Sequence, residues 1–112
     1  MSKPLYQAKA DFLRTLGHPA RIRILELLSE RDHAVHELLE QIAIEPSNLS
    51  QQLAVLRRTT LVASRRKDGE VVYSISVPEV RDLLIAARSI LTSLAATQTE
   101  FESELTPAKS SR

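Results

Sequence analysis

Between positions 47 and 52 the chain reads Ser-Asn-Leu-Ser-Gln-Gln, so Ser47, Asn48, Ser50, Gln51 and Gln52 place five uncharged hydrogen-bonding side chains within six residues. Each amide carries two donors and an acceptor, which is the equipment needed to read the edges of bases in a nucleic-acid groove. Arg57 and Arg58 follow on the same segment, and Arg65, Arg66 and Lys67 come shortly after. Guanidinium and ammonium groups suit phosphate oxygens, which position a protein on a duplex without reading its sequence. Residues 46–67 hold no aspartate or glutamate, although the chain has 14 acids in all. With those five cations the stretch is formally +5, and because the whole chain sums to +1, the remainder carries −4. An acid on a surface laid against DNA would repel every phosphate it met, so their exclusion has a physical reason. A merely solvated basic face is the alternative that charge alone allows.

Other chemistries have less to work with. The chain contains no cysteine, which removes disulfides, thiolate nucleophiles and thiolate metal ligands. His33 and His36 stand three apart on an expected helix and could form half a metal site with Asp32 or Glu37, but tetrahedral zinc or octahedral nickel needs further ligands. His18, just before Pro19, reads as a helix cap. No Gly-rich phosphate loop exists in a chain with only two glycines, and no pair of carboxylates accompanies a histidine. Tyr6 and Tyr73 read as packing or rim aromatics, and an enzyme is not expected.

The elements that must carry these residues follow from periodicity. Leu5, Ala8, Phe12 and Leu16 recur at helical spacing up to Gly17. His18 and Pro19 suit the start of a second helix with Ile24, Leu25 and Leu28 on its apolar face, ending near Ser29 to Arg31. A third has Val35, Leu38, Leu39 and Ile42 on one face. Pro46 disfavours helical geometry at Glu45, and Ser47 can cap a fourth helix whose buried row is Leu49, Leu53 and Leu56. The period then becomes extended. Leu61 to Arg66 and Val71 to Ser76 read as two strands joined by an Asp68-Gly69 turn. Beyond Pro78, the row Val80, Leu83, Leu84, Ala87, Leu91 and Leu94, widened by Ile85 and Ile90, marks a last helix whose apolar face calls for a partner.

At 112 residues and 43% apolar composition, the chain suits one compact domain. No run of about 18 apolar residues is present to span a membrane. The N-terminus MSKPLYQAKADFLR lacks the apolar region of a secretory signal, so a cytoplasmic location is expected.

Helix, short break, helix with a polar outer surface and then a basic hairpin is the order of a winged helix-turn-helix. The expected fold class is therefore mainly α, about five helices with a two-stranded β-hairpin wing. The blocks LGHPARIRILELL, HELLEQIAIEPSNLSQQLAVLRR and LVASRRKDGEVVYSI, in this order and spacing, resemble the ArsR family of bacterial repressors over roughly residues 8 to 95. That resemblance implies a homodimeric, sequence-specific transcriptional regulator, a repressor bound to double-stranded DNA at an inverted-repeat operator. It implies base reading by Ser47, Asn48, Ser50, Gln51 and Gln52, with Arg57 and Arg58 beside them and Arg65, Arg66 and Lys67 in the wing. For Ser47, a helix cap and a phosphate contact both remain open. The first and last helices, through Leu5, Phe12, Leu84, Leu91 and Leu94, are expected at the dimer interface. Residues 1–97 would form the DNA-binding and dimerisation domain, and the polar tail 98–112 would be partly disordered.

Two positions depart from the family pattern: Ala43 and Thr60 stand where relatives usually have glycine. Many relatives sense metals, and at the family's two cysteine positions this chain has Ala34 and His36. On the last helix Val77, Ile90 and Ser93 occupy the places of ligands, leaving only Glu79. No cofactor is expected on this reading. The alternatives are a nickel- or zinc-responsive regulator of the same fold, and a winged-helix protein-interaction module without DNA binding. Whether a separate partner protein supplies the sensing for the regulator stays open at this point.

Overall fold

The computed structural model describes residues 3–105, with side chains described through residue 98. Its elements run α1 (Leu5–Leu16), α2 (Pro19–Glu30), β1 (His33–Ala34), α3 (Val35–Gln41), α4 (Pro46–Arg58), β2 (Val62–Lys67), β3 (Glu70–Ile75) and α5 (Glu79–Leu105). The chain divides into two compact units, one running through Arg81 and the other from Asp82 onward.

Local chemistry sets most of the boundaries. The His18 backbone is extended and its Nδ1 accepts the Ala20 N–H at 3.2 Å, while Pro19 occupies the first helical turn, where a missing N–H costs nothing. Pro46 opens α4 in the same way, with Glu45 held extended before it. Ser47 therefore lies inside the first turn of α4, and the residue at the cap, Glu45, makes no side-chain capping bond. The capping role anticipated for Ser47 is corrected accordingly. Glu37 takes the backbone N–H of Ala34 at 2.8 Å, satisfying a donor at the start of α3.

The end of α4 is informative. Thr60 N–H bonds to the carbonyl of Arg57 and Leu61 N–H to that of Leu56, both at 3.0 Å, which is the paired bonding of a Schellman motif. Leu61 and Leu56 are both buried behind it. The motif requires a left-handed residue at Thr60, whose φ is +62°. A β-branched side chain is unfavourable there by about 1–2 kcal/mol. Ala43, the other place where a glycine was expected, does not take positive φ, so the α3–α4 connection is built without one.

The wing forms as expected, with β2 and β3 antiparallel and Arg65 opposite Val72, Arg66 opposite Val71 and Lys67 opposite Glu70. Asp68 and Gly69 have φ of +54° and +80°, so both central residues of the two-residue turn are left-handed, the combination that matches strand twist in a type I′ hairpin. A third strand was not anticipated. β1 pairs with β3, His33 opposite Tyr73 and Ala34 opposite Val72, giving the order β1-β3-β2. The wing is thereby fastened to the segment that enters α3.

Ile24, Leu25, Leu28, Leu38, Leu49 and Leu56 are fully buried, so α2, α3 and α4 each contribute to one core. Burial of each such side chain contributes roughly 1.5–3 kcal/mol. Val80, at the start of α5, is buried, and Arg81 donates from Nε and Nη2 to the carbonyl of Ser29 at 2.9 and 2.7 Å, satisfying an acceptor at the end of α2. From Asp82 onward α5 continues through Leu105, so residues 98–105 of the expected tail are helical and the rest lies outside the described residues. Ile85, Ile90, Leu91 and Leu94 are exposed along it. Among the described residues no helix is long and apolar enough to cross a membrane.

Candidate nucleic-acid interface

Helix α4 is built to present one face. Leu49, Leu53 and Leu56 fix its inner side in the core, which turns Ser47, Ser50 and Gln51 to solvent and leaves Asn48 half-buried. Positions 47, 50, 51, 54 and 58 follow the 3–4 spacing of a single helical stripe, so the outer groups lie along one edge. Arg57 and Arg58 are exposed in the last turn, where they also complement the negative end of the helix dipole. No acid lies on this helix.

Gln52 is different from its neighbour Gln51. It is only 7% exposed, its Oε1 accepts from Arg21 Nε at 2.8 Å, and its Nε2 donates to Asn48 Oδ1 at 2.8 Å. The direct base contact expected of Gln52 is thus corrected: the amide is turned inward and both its ends are engaged. Arg21, which the sequence reading did not single out, also donates from Nη1 to the carbonyl of Thr15 at 2.9 Å. It ties the end of α1, the start of α2 and the middle of α4 together. The helical wheel held a signal for the buried amide, because Gln52 is three residues after Leu49 and four before Leu56 and so borders the buried row.

The wing cations do not act as one group. Arg65 Nη1 lies 2.9 Å from Asp32 Oδ2 in an exposed ion pair that joins the wing to the loop before β1. Arg66, on the opposite face of the strand by alternation, donates from Nη1 to the carbonyl of Gly69 at 3.2 Å. Lys67 lies beside Arg65 on a cleft that also receives Asp32, Glu37, Asp68 and Glu70. A stretch that is free of acids along the chain therefore meets acids in space, and these come from flanking segments.

The two histidines do not share a helix. His33 is in β1, 4% exposed, and neither ring nitrogen has a hydrogen-bond partner; its Nδ1 is 3.9 Å from Glu37 Oε1, beyond hydrogen-bonding range. His36 is exposed on α3, with Nδ1 at 2.9 Å from Glu70 Oε1. The half-site drawn from helical spacing is corrected on this point, since strand pairing with Tyr73 turns His33 into the core. Glu37 is held below the usual carboxylate range, first by the Ala34 N–H and then by Arg31, whose Nη1 is 3.4 Å away. Among the described residues no group of three or more histidines, aspartates or glutamates converges as a metal site would require.

Comparison with known proteins agrees with this geometry. Residues 18–64, from the cap of α2 to the middle of β2, match the family model for bacterial regulatory proteins of the arsR family. The chain is 57% identical over 91 residues, 80% of either chain, to the HTH-type transcriptional regulator Rv0081 of Mycobacterium tuberculosis. It is 37% identical over 81 residues, 72% of this chain and 71% of the other, to the biofilm growth-associated repressor of Xylella fastidiosa. The crystal structure of Rv0081 superposes with a TM-score of 0.79 at 52% identity, covering 88% of this chain and 99% of that one. With the cap at His18 and the buried row of α4 inside the matched region, and with these relatives at 57% and 37% identity, the chain belongs to the arsR family of bacterial regulatory proteins.

Proposed function

We propose that this protein is a homodimeric transcriptional repressor that binds double-stranded DNA at an imperfect inverted repeat and occludes a promoter. The observation that carries the reading is the outer face of α4, where Ser47, Ser50 and Gln51 stand exposed and acid-free, with Arg57 and Arg58 at its end and a leucine row fixing its orientation. An α-helix with such a face fits the major groove, where uncharged hydrogen-bonding groups meet base edges and flanking cations meet phosphates. Relatives named as transcriptional regulators and repressors support the same reading.

Dimerisation is supported by apolar surface left bare on two helices. On α1, Leu5 is 70% exposed and Phe12 is exposed with Tyr6 and Leu13; on α5, Leu91 is 65% exposed and Leu94 is exposed with it. Leu84 is half-buried. A two-fold dimer presents two copies of α4 to successive major grooves, which is why the site should be an inverted repeat. The donor set does not fit a resident zinc or nickel ion, because His33 is enclosed in the core and His36 is paired with Glu70. Among the described residues that set does not support the metal-responsive alternative.

Unbiased selection from random duplex DNA tests the reading. Enrichment of a short inverted repeat is expected, and recovery of no sequence preference would favour the protein-interaction alternative.

A further inference from the structure

The bonds joining Arg21, Gln52 and Asn48 have a direction that chemistry fixes. A guanidinium carries only donors, so the atom of Gln52 that faces Arg21 Nε at 2.8 Å must be the amide oxygen. The nitrogen of Gln52 then faces the other way, and the atom of Asn48 that receives it at 2.8 Å must be Oδ1. Arg21 cannot reverse this order, and it is itself anchored through Nη1 to the Thr15 carbonyl. Each amide is therefore locked in one of its two flipped states. Asn48 is half-buried on the same helix as the exposed Ser47 and Gln51, and among the described residues no group accepts from its Nδ2.

We propose that Arg21, acting through Gln52, sets Asn48 as a hydrogen-bond donor toward DNA, so that Asn48 selects a base with an acceptor on its major-groove edge. Guanine through O6 and N7, thymine through O4 and adenine through N7 present such edges, whereas cytosine presents only its N4 donor, so the contact selects against cytosine. Arg21 and Gln52 are positioning residues, and Asn48 is the residue that touches the base. The inference rests on the proposal that α4 reads DNA and adds to it the polarity of one contact and the half-buried charge that sets it.

Gln52→Glu inverts the relay with little change in shape. A carboxylate still accepts from Arg21, as an ion pair, but its second oxygen can only accept. Asn48 must then turn its Nδ2 toward residue 52 and present Oδ1 outward. In a selection from random duplex DNA, the wild type should disfavour cytosine at one position of each half-site. Gln52→Glu should favour cytosine at that position and disfavour guanine and thymine, which carry no major-groove donor, by about fivefold for a single hydrogen bond, and leave the other positions unchanged. Asn48→Asp provides a second route that leaves the Arg21–Gln52 contact in place: it keeps the acceptor for Gln52 and removes the donors, so the same position should lose its preference for an acceptor edge. A purely structural role for the relay would alter stability and overall affinity without inverting one base preference.

Thermal melting of each variant is measured alongside, and Asn48→Asp decides if Gln52→Glu does not fold. Folded variants whose selected sequence matches the wild type at every position would overturn the inference, as would a folded Gln52→Glu that selects no sequence. A wild type that itself selects no sequence overturns the DNA-reading proposal, and this inference with it, so the two failures are distinguishable.

Discussion

Arg65 on the wing and Asp32 before β1 lie 2.9 Å apart across 33 residues of sequence, so one cation of the basic stretch is already paired with an acid of the same chain. Both side chains are about half exposed, and a pair of this kind contributes about 0–1 kcal/mol to stability. Asp32→Asn should therefore leave the melting temperature nearly unchanged while freeing the guanidinium. If the wing meets phosphates, affinity for any duplex should rise and the salt slope should steepen by about 1. Unaltered slopes in titrations at several salt concentrations would mean that Arg65 does not reach the backbone.

The strained residue at the end of α4 gives a stability prediction. Thr60 holds φ at +62° to close the Schellman motif, and the backbone bonds of that motif do not involve its side chain. Thr60→Gly should stabilise the fold by about 1 kcal/mol, less what the Thr60 Oγ1 bond to the Thr59 carbonyl contributes. Urea denaturation reads this as a higher midpoint with an unchanged slope; a lower midpoint would show that the hydroxyl contact outweighs the strain.

Much of this fold is legible in short-range signals. Pro19 after His18, Pro46 after Glu45 and the Asp68-Gly69 pair each act on their immediate neighbours, so they mark two helix starts and a type I′ turn without reference to the rest of the chain. The leucine rows identify buried faces for the same reason. What escapes such a reading depends on partners far along the chain. β1 is two residues long and exists because β3 offers it an edge; His33 is buried because that pairing turns it inward. Gln52 looks like Gln51 until Arg21, 31 residues away, is placed against it. The acid-free stretch illustrates the same limit, since Asp32 joins it only in three dimensions.

Asp11 links charge to the stability of α1. Lys3 Nζ at 2.6 Å, Arg14 Nη1 at 2.9 Å and Gln7 Nε2 at 3.1 Å all donate to its carboxylate. These bonds, that of Lys3 foremost, lower its pKa from 3.8 to about 2. Because the folded value is depressed, the stabilising effect is fully present above about pH 4 and is lost as pH falls toward 2. Asp11→Asn should be less stable than the wild type at neutral pH, with the gap closing between pH 4 and 2. A gap of constant size across that range, measured by thermal melting, would show that the carboxylate's charge plays no part.

Exposed apolar surface on α5 predicts the oligomeric state. Leu91→Glu places a charge where the wild type has a bare leucine beside Leu94, and it should convert dimers at micromolar concentration into monomers without loss of helicity. DNA affinity should fall with it, because each half-site then binds alone. Sedimentation showing the wild type as a stable monomer would remove the basis for an inverted-repeat site.

The division of labour between reading and attraction is the centre of the account, and one set of titrations addresses it. Gln51 is exposed on the outer face of α4, whereas Arg66 is exposed on the wing. Affinities for the selected operator and for a scrambled duplex are to be measured over several salt concentrations for the wild type, Gln51→Ala and Arg66→Ala. Gln51→Ala should cost about 1–3 kcal/mol on the operator and little on the scrambled duplex, with its salt slope unchanged. Arg66→Ala should weaken both duplexes alike and reduce the slope by about 1. Equal losses on operator and scrambled DNA for Gln51→Ala would contradict the account, because the exposed amide at the centre of the outer face of α4 would then contribute no base reading.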